Sequence, residues 1–172
     1  CSTLGALLPI ARALRVLTWR HDALFLVNDR TDLALACDAD GVHLGPDDFP
    51  VEVARRLLGP HKIIGASCGT PAEAILAEKQ GADYIGTGAV FGTGTKNDAG
   101  APIGVKGLKA VISATRLPVA AIGGVGENNI AQLCSSGARM ACVISALAAQ
   151  RSEDDMTSAT QRLLELWQPS EK

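Results

Sequence analysis

An α/β fold with a parallel sheet covered by helices is the architecture this sequence predicts. Six short apolar runs alternate with stretches of helical spacing, joined by short connections. Each run is apolar throughout rather than alternating, as burial on both faces of a sheet demands. The runs also tend to end in polar residues or glycine: Asn28, Asp29, Asp48, Ser67, Thr93, Gly124 and Ser145. An open doubly wound sheet gathers its site at one switch point, whereas a closed barrel brings all its strand ends to one mouth. That spread of polar ends selects a TIM (β/α)8 barrel. The length of 172 residues by itself suits an open sheet, since complete barrels run to about 250. The expectation is a barrel lacking its first βα unit and second strand, with residues 1–150 forming the barrel and 151–172 a C-terminal helix and tail.

Taken in order, Leu7, Ile10, Ala11, Leu14 and Leu17 recur at helical spacing, with Arg12, Arg15 and Arg20 largely opposite, and predict an amphipathic first helix. Ala23–Val27 is the first strand, stopping at Asn28-Asp29-Arg30, and 31–36 is a short helix capped from Asp29 or Thr31. Residues 41–44 form a strand that ends at Gly45-Pro46-Asp47-Asp48, and the helix 51–58 closes at Gly59-Pro60. The pattern repeats: strand 62–66, then a helix from Pro71 to Gln80 with proline in its first turn. Strand 84–86 leads into a glycine-rich loop and a helix over 105–115. Strand 118–122 ends at Gly123-Gly124, a helix over 128–136 closes at Gly137, and strand 141–144 ends at Ser145. A tail helix over 153–167 stops before Pro169.

Composition excludes several classes. Hydrophobic residues make up 47% and aromatics 3%, so the core is aliphatic. A net charge of −2 argues against a nucleic-acid binder. No apolar run approaches the roughly 18 residues of a membrane span. Without a leader pattern, the expected location is the cytosol. The five cysteines have no metal-type spacing; Cys37, Cys134 and Cys142 read as small buried hydrophobes. The chain opens on Cys1 and runs directly into helical sequence, from which a cut front is expected.

The chemistry concentrates in three places. Gly86–Lys96 carries glycines at 88, 92 and 94, threonines at 93 and 95, and a lysine. Glycine lets backbone N–H groups approach an anion, and hydroxyls and an ammonium add donors; the bland alternative is a surface loop. Asn28-Asp29 and Asp48 follow consecutive strands, and two carboxylates near a phosphate loop suit a Mg²⁺ ion shared with substrate phosphates. Helix capping is the alternative. Gly123-Gly124 and Ile144-Ser145 follow the last two strands, where phosphate-binding barrels hold phosphate on backbone N–H groups; tight packing is the alternative. His43 reads as a core or hydrogen-bonded histidine, and His21 and His61 fall in helix-to-strand connections. Cys68, beside Ser67 at the expected mouth, is a candidate reactive thiol without a nearby base. Two anion sites with no general base between them suit the joining of a diphosphate-bearing electrophile to a second phosphorylated substrate. All of these residues are expected to meet at one rim.

Six motifs, Leu26-Val27-Asn28-Asp29-Arg30, Gly41-Val42-His43-Leu44-Gly45, Ile64-Gly65-Ala66-Ser67, Gly81–Gly86, Thr93-Gly94-Thr95-Lys96-Asn97-Asp98 and Ala121-Ile122-Gly123-Gly124, occur in the order and spacing of the thiamine-phosphate synthase family. The chain resembles that family from about residue 3 to residue 150. The resemblance implies Mg²⁺-dependent coupling of hydroxymethylpyrimidine diphosphate with thiazole phosphate, releasing pyrophosphate and thiamine phosphate by a dissociative route. It implies that Asn28 contacts the pyrimidine and that Asp29 and Asp48 ligate Mg²⁺. Ser67 and Lys96, the two positions implied as catalytic, would hold the diphosphate. Thr93, Gly94 and Thr95 would hold the thiazole phosphate with Gly124, Ile144 and Ser145.

The sequence departs from the family pattern at Pro46, where Gln is usual, at Gly69-Thr70, where His-Thr is usual, and near Gly92 and Gly94, where prolines are usual. The family's Gln-x-Arg-x-Lys segment falls before Cys1, so weak or no turnover is expected of this polypeptide. Rival expectations are a thiazole tautomerase and a non-catalytic phosphate-ligand domain. The partner expectations are the two small-molecule substrates, with no nucleic acid or membrane, and either a homo-oligomer or a fusion with a pyrimidine-phosphate kinase.

Overall fold

The computed structural model describes residues 3–94 and 101–169. The chain divides into two compact units, the first running to Ser67 and including Lys79–Asp83, the second comprising Cys68–Glu78 and the chain from Tyr84 onward.

In the first unit, α1 (Leu4–Arg20) opens at Thr3, whose hydroxyl accepts the Ala6 N–H at 3.3 Å. Then follow β1 (Leu26–Asn28), α2 (Thr31–Ala36), β2 (Gly41–Leu44), α3 (Val51–Leu58) and β3 (Ile63–Ser67). The three strands are parallel and lie in chain order, with Asn28 opposite His43 and His43 opposite Gly65. Val27, Val42, Leu44, Ile64 and Ala66 from the strands are buried together with Leu33, Ala34, Val51 and Ala54 from the helices.

The rotation of α1 differs from the expected one. Ala11 is buried and Leu4, Leu7, Leu8, Arg15 and Thr18 are half-buried, while Ile10, Leu14 and Leu17 are exposed. An ion pair fixes this orientation. The Arg15 guanidinium donates to Asp40 at 2.7 Å, and the same carboxylate oxygen accepts the Phe25 N–H at 2.7 Å. A second node holds β3: Arg55 donates to the carbonyls of Gly59, Lys62 and Gly81, and at 2.5 Å to Asp83. Asp83 in turn accepts the Ile64 N–H at 2.7 Å. Buried backbone donors require such partners.

In the second unit, α4 (Pro71–Gln80), whose last two residues belong to the first unit, opens with a capping box in which Glu73 accepts the N–H groups of Gly69 and Thr70 and donates its own to the Thr70 hydroxyl. Then come β4 (Tyr84–Thr87), α5 (Gly104–Ala114), β5 (Val119–Ala121), β6 (Met140–Ala141), α6 (Ser145–Ala148) and α7 (Glu153–Leu166). These strands are also parallel and in chain order, pairing Gly86 with Ala120 and Ala120 with Met140. The helix expected over 128–136 is a single 3₁₀ turn, Ile130–Leu133. Its bonds run from Gln132 N–H to Asn129 and from Cys134 N–H to Ala131, and Gly137 at φ +91° ends the segment. The last strand is shorter than expected, and Ile144 beyond it is exposed. Helix α7 is capped by Ser152 and buries Ala159 and Leu163.

Among the described residues no Phe, Tyr or Trp is buried, so the core is aliphatic as composition requires. No described helix is long and apolar enough to cross a membrane.

Candidate functional site

In the first unit the strand ends carry an acidic group. Asn28 closes β1, and the Asp29 N–H continues the ladder by donating to the His43 carbonyl at 2.8 Å. The chain then turns tightly, with Arg30 N–H donating to the Asn28 carbonyl at 2.8 Å and Asp29 at φ +66°. Asp and Asn tolerate that left-handed conformation better than other side chains. The Asn28 amide donates to Asp29 Oδ1 at 2.5 Å, which orients the carboxylate. After β2, Asp48 folds its loop back and accepts the Gly45 N–H at 2.7 Å. Neither aspartate stands at a helix N-cap: α2 is preceded by Arg30 and α3 by Pro50. At the end of β3, Ser67 Oγ lies 2.9 Å from His43 Nε2. His43 is thus hydrogen-bonded, as expected, and its partner is the predicted site serine.

In the second unit the strand ends carry a glycine group. The segment after β4 runs along the segment after β5: Ile122 N–H donates to Thr87 at 3.0 Å, Val90 N–H to Ile122 at 2.9 Å, and Phe91 N–H to Gly123 at 3.0 Å. The approach is so close that a Cβ on Gly124 would lie 2.3 Å from the Gly92 carbonyl oxygen. The Val90-Phe91-Gly92 stretch is therefore held against the Gly123-Gly124 turn. Ala146, which follows Ser145 in α6, lies beside the end of this turn, since a Cβ on Gly126 would lie 3.8 Å from its side chain. Thr95 and Lys96 lie outside the described residues.

Two further residues serve these groups without having been singled out as site residues. Asn129 accepts the Gly126 N–H at 2.9 Å and donates to the Gly124 carbonyl at 2.8 Å, stapling the glycine turn. Thr87, fully buried, donates to the Cys68 carbonyl at 3.0 Å. An asparagine three residues after a glycine is the only signal of the first, and nothing local marks the second.

Cys68 is not a reactive thiol. It is 4% exposed, and burial, with the negative charge of Glu73 adding to it, pushes its pKa up to about 11. Cys134 and Cys142 are half-buried rather than fully buried, while Cys37 is buried as expected.

The family model described as thiamine monophosphate synthase matches residues 4–147. The chain belongs to that family. A thiamine-phosphate synthase of Moorella thermoacetica is 48% identical over 160 residues, covering 93% of this chain and 75% of the relative. The solved thiamine phosphate pyrophosphorylase of Pyrococcus furiosus superposes with a TM-score of 0.87 at 43% identity, over 96% of this chain and 78% of that one. One thiamine-phosphate synthase family relative, a bifunctional ThiM/ThiE protein of Symbiobacterium thermophilum, is 51% identical over 144 residues, which are 84% of this chain and 30% of that protein.

For the metal expected from the two aspartates, the donor chemistry is suitable. Both are hard oxygen ligands at the ends of neighbouring strands. Among the described residues no group of three or more His, Cys, Asp or Glu forms a cage. Mg²⁺ does not require one, since it keeps several waters and is bound through one or two carboxylates plus substrate phosphates.

Proposed function

We propose that this protein couples hydroxymethylpyrimidine diphosphate to thiazole phosphate, with Mg²⁺, to give thiamine phosphate and pyrophosphate in the cytosol. The observation that carries this reading is the division of labour between strand ends. One group offers carboxylates, an amide and a hydroxyl, and the other offers glycine backbone and hydroxyls without an acid. Family membership over most of the chain supports it.

In this reading Asp29 and Asp48 hold Mg²⁺, which when bound neutralises charge on the departing diphosphate. Asn28 orients the pyrimidine, and Ser67 with Lys96 binds the diphosphate. The turn at Gly124, with Thr93, Gly94, Thr95, Ile144 and Ser145, binds the thiazole phosphate. The C–O bond to the diphosphate breaks, the positive charge is delocalised into the aminopyrimidine, and the thiazole nitrogen lone pair forms the new C–N bond. No residue need remove a proton, which agrees with the lack of an assigned base. The scaffold proposed for this chemistry is a TIM barrel, a reading that the parallel strands in chain order support. A fused second domain would follow the pattern of the bifunctional relative.

Incubating the purified protein with both phosphorylated substrates, with and without Mg²⁺, tests the reading. The expected product is thiamine phosphate, formed slowly, dependent on Mg²⁺ and lost with EDTA. Mg²⁺-independent binding of a single ligand without coupling would overturn it in favour of a tautomerase or a non-catalytic domain.

A further inference from the structure

We infer that His43 is a positioning residue that acts through Ser67, and this inference rests on the coupling function proposed above. His43 lies in β2 and Ser67 closes β3, with the histidine Nε2 at 2.9 Å from the serine Oγ. The strand register explains how they meet. His43 pairs with Gly65, which has no side chain, so the imidazole leans along β3 to the residue two places on. Ser67 is exposed at the strand end and His43 is half-buried, which makes the serine the group that meets a ligand and the histidine the group that meets the serine.

The proton inventory sets the direction of the bond. A serine hydroxyl has one proton and two acceptor lone pairs. To bind an anionic diphosphate oxygen it must donate that proton outward, and it then needs a donor of its own from behind. His43 supplies this donor from Nε2–H, so the Ser67 hydroxyl is turned toward the diphosphate. Were the hydroxyl to donate to the ring instead, it would present only lone pairs to an anion. The tautomer at His43 is thereby specified as Nε2–H for the ligand-bound protein.

The test is a double-mutant cycle read by kcat/KM and, separately, by calorimetric titration of Mg²⁺ with inorganic pyrophosphate. His43→Leu removes the donor at similar volume and lowers kcat/KM about tenfold, the effect of one hydrogen bond to a charged-ligand partner. His43→Gln, whose amide reaches the Nε2 position, recovers to within about threefold. In a Ser67→Ala background, His43→Leu adds less than about twofold, because no hydroxyl remains to orient. Pyrophosphate affinity follows the same order. Equal losses from His43→Leu in both backgrounds overturn the inference, as does a His43→Gln variant that melts like the parent yet matches His43→Leu. A parent protein that forms no thiamine phosphate refutes the coupling function instead, and the pyrophosphate titrations still decide the His43–Ser67 pair.

Discussion

Replacing Gly124 with alanine isolates what the glycine turn contributes. Gly124 sits at φ +64°, where an L-residue costs about 1–2 kcal/mol. The new Cβ would also lie 2.3 Å from the Gly92 carbonyl oxygen and 3.0 Å from its carbon. Neither atom is the end of a flexible side chain, so relief requires the Phe91-Gly92 backbone to move away. Overpacking of this kind costs typically about 1–3 kcal/mol. Together the two effects predict a loss of about 2–5 kcal/mol, which for a chain of this size lowers the thermal midpoint by roughly 4–20 °C. The displaced segment leads directly into Thr93-Gly94-Thr95, proposed to bind phosphate, so thiazole phosphate affinity falls as well. Gly94→Ala is the control for stability, because among the described residues nothing lies within 4 Å of its Cβ position. Thermal denaturation and calorimetric titration with thiazole phosphate read both effects. If Gly124→Ala and Gly94→Ala melt alike, the close approach of the two segments is refuted.

Other substitutions test other parts of the molecule. Asp29→Asn preserves the turn, since asparagine also adopts positive φ, but raises the Mg²⁺ requirement roughly tenfold or more; an unchanged Mg²⁺ titration of turnover would contradict the metal role. Asp83→Ala leaves Arg55 and the Ile64 N–H without their shared acceptor and costs about 1–3 kcal/mol in urea denaturation. Asp38→Asn, which loosens only an exposed pair with Lys62, produces no measurable change. Cys68 resists alkylation at neutral pH until the protein unfolds. Because its pKa rises from 9.0 to about 11 on folding, the unfolded chain loses this proton first. The parent therefore loses stability relative to Cys68→Ala as pH rises from about 9 toward about 11, and the difference between the two is constant below that window. Denaturant midpoints across that range give the check.

The alternation of apolar runs with helical stretches exposed the parallel α/β order, and strand ends such as Asn28-Asp29 and Gly123-Gly124 were legible because turn residues carry their conformational preference locally. Period and composition are properties of neighbouring residues. The rotation of α1 was not legible, since Arg15 finds Asp40 across 25 positions and overrides the leucine stripe. Nor was the pairing of His43 with Ser67, 24 positions apart, because it depends on a register in which Gly65 leaves the ring room to lean. Cys68 read as reachable beside a polar serine, yet burial decides a thiol's chemistry and burial is a sum over distant parts of the chain. The sequence by itself determined which elements form and which residues end the strands. Only the tertiary structure decided which side chains share a hydrogen bond, because that depends on strand register and helix rotation, which pairwise contacts far along the chain select.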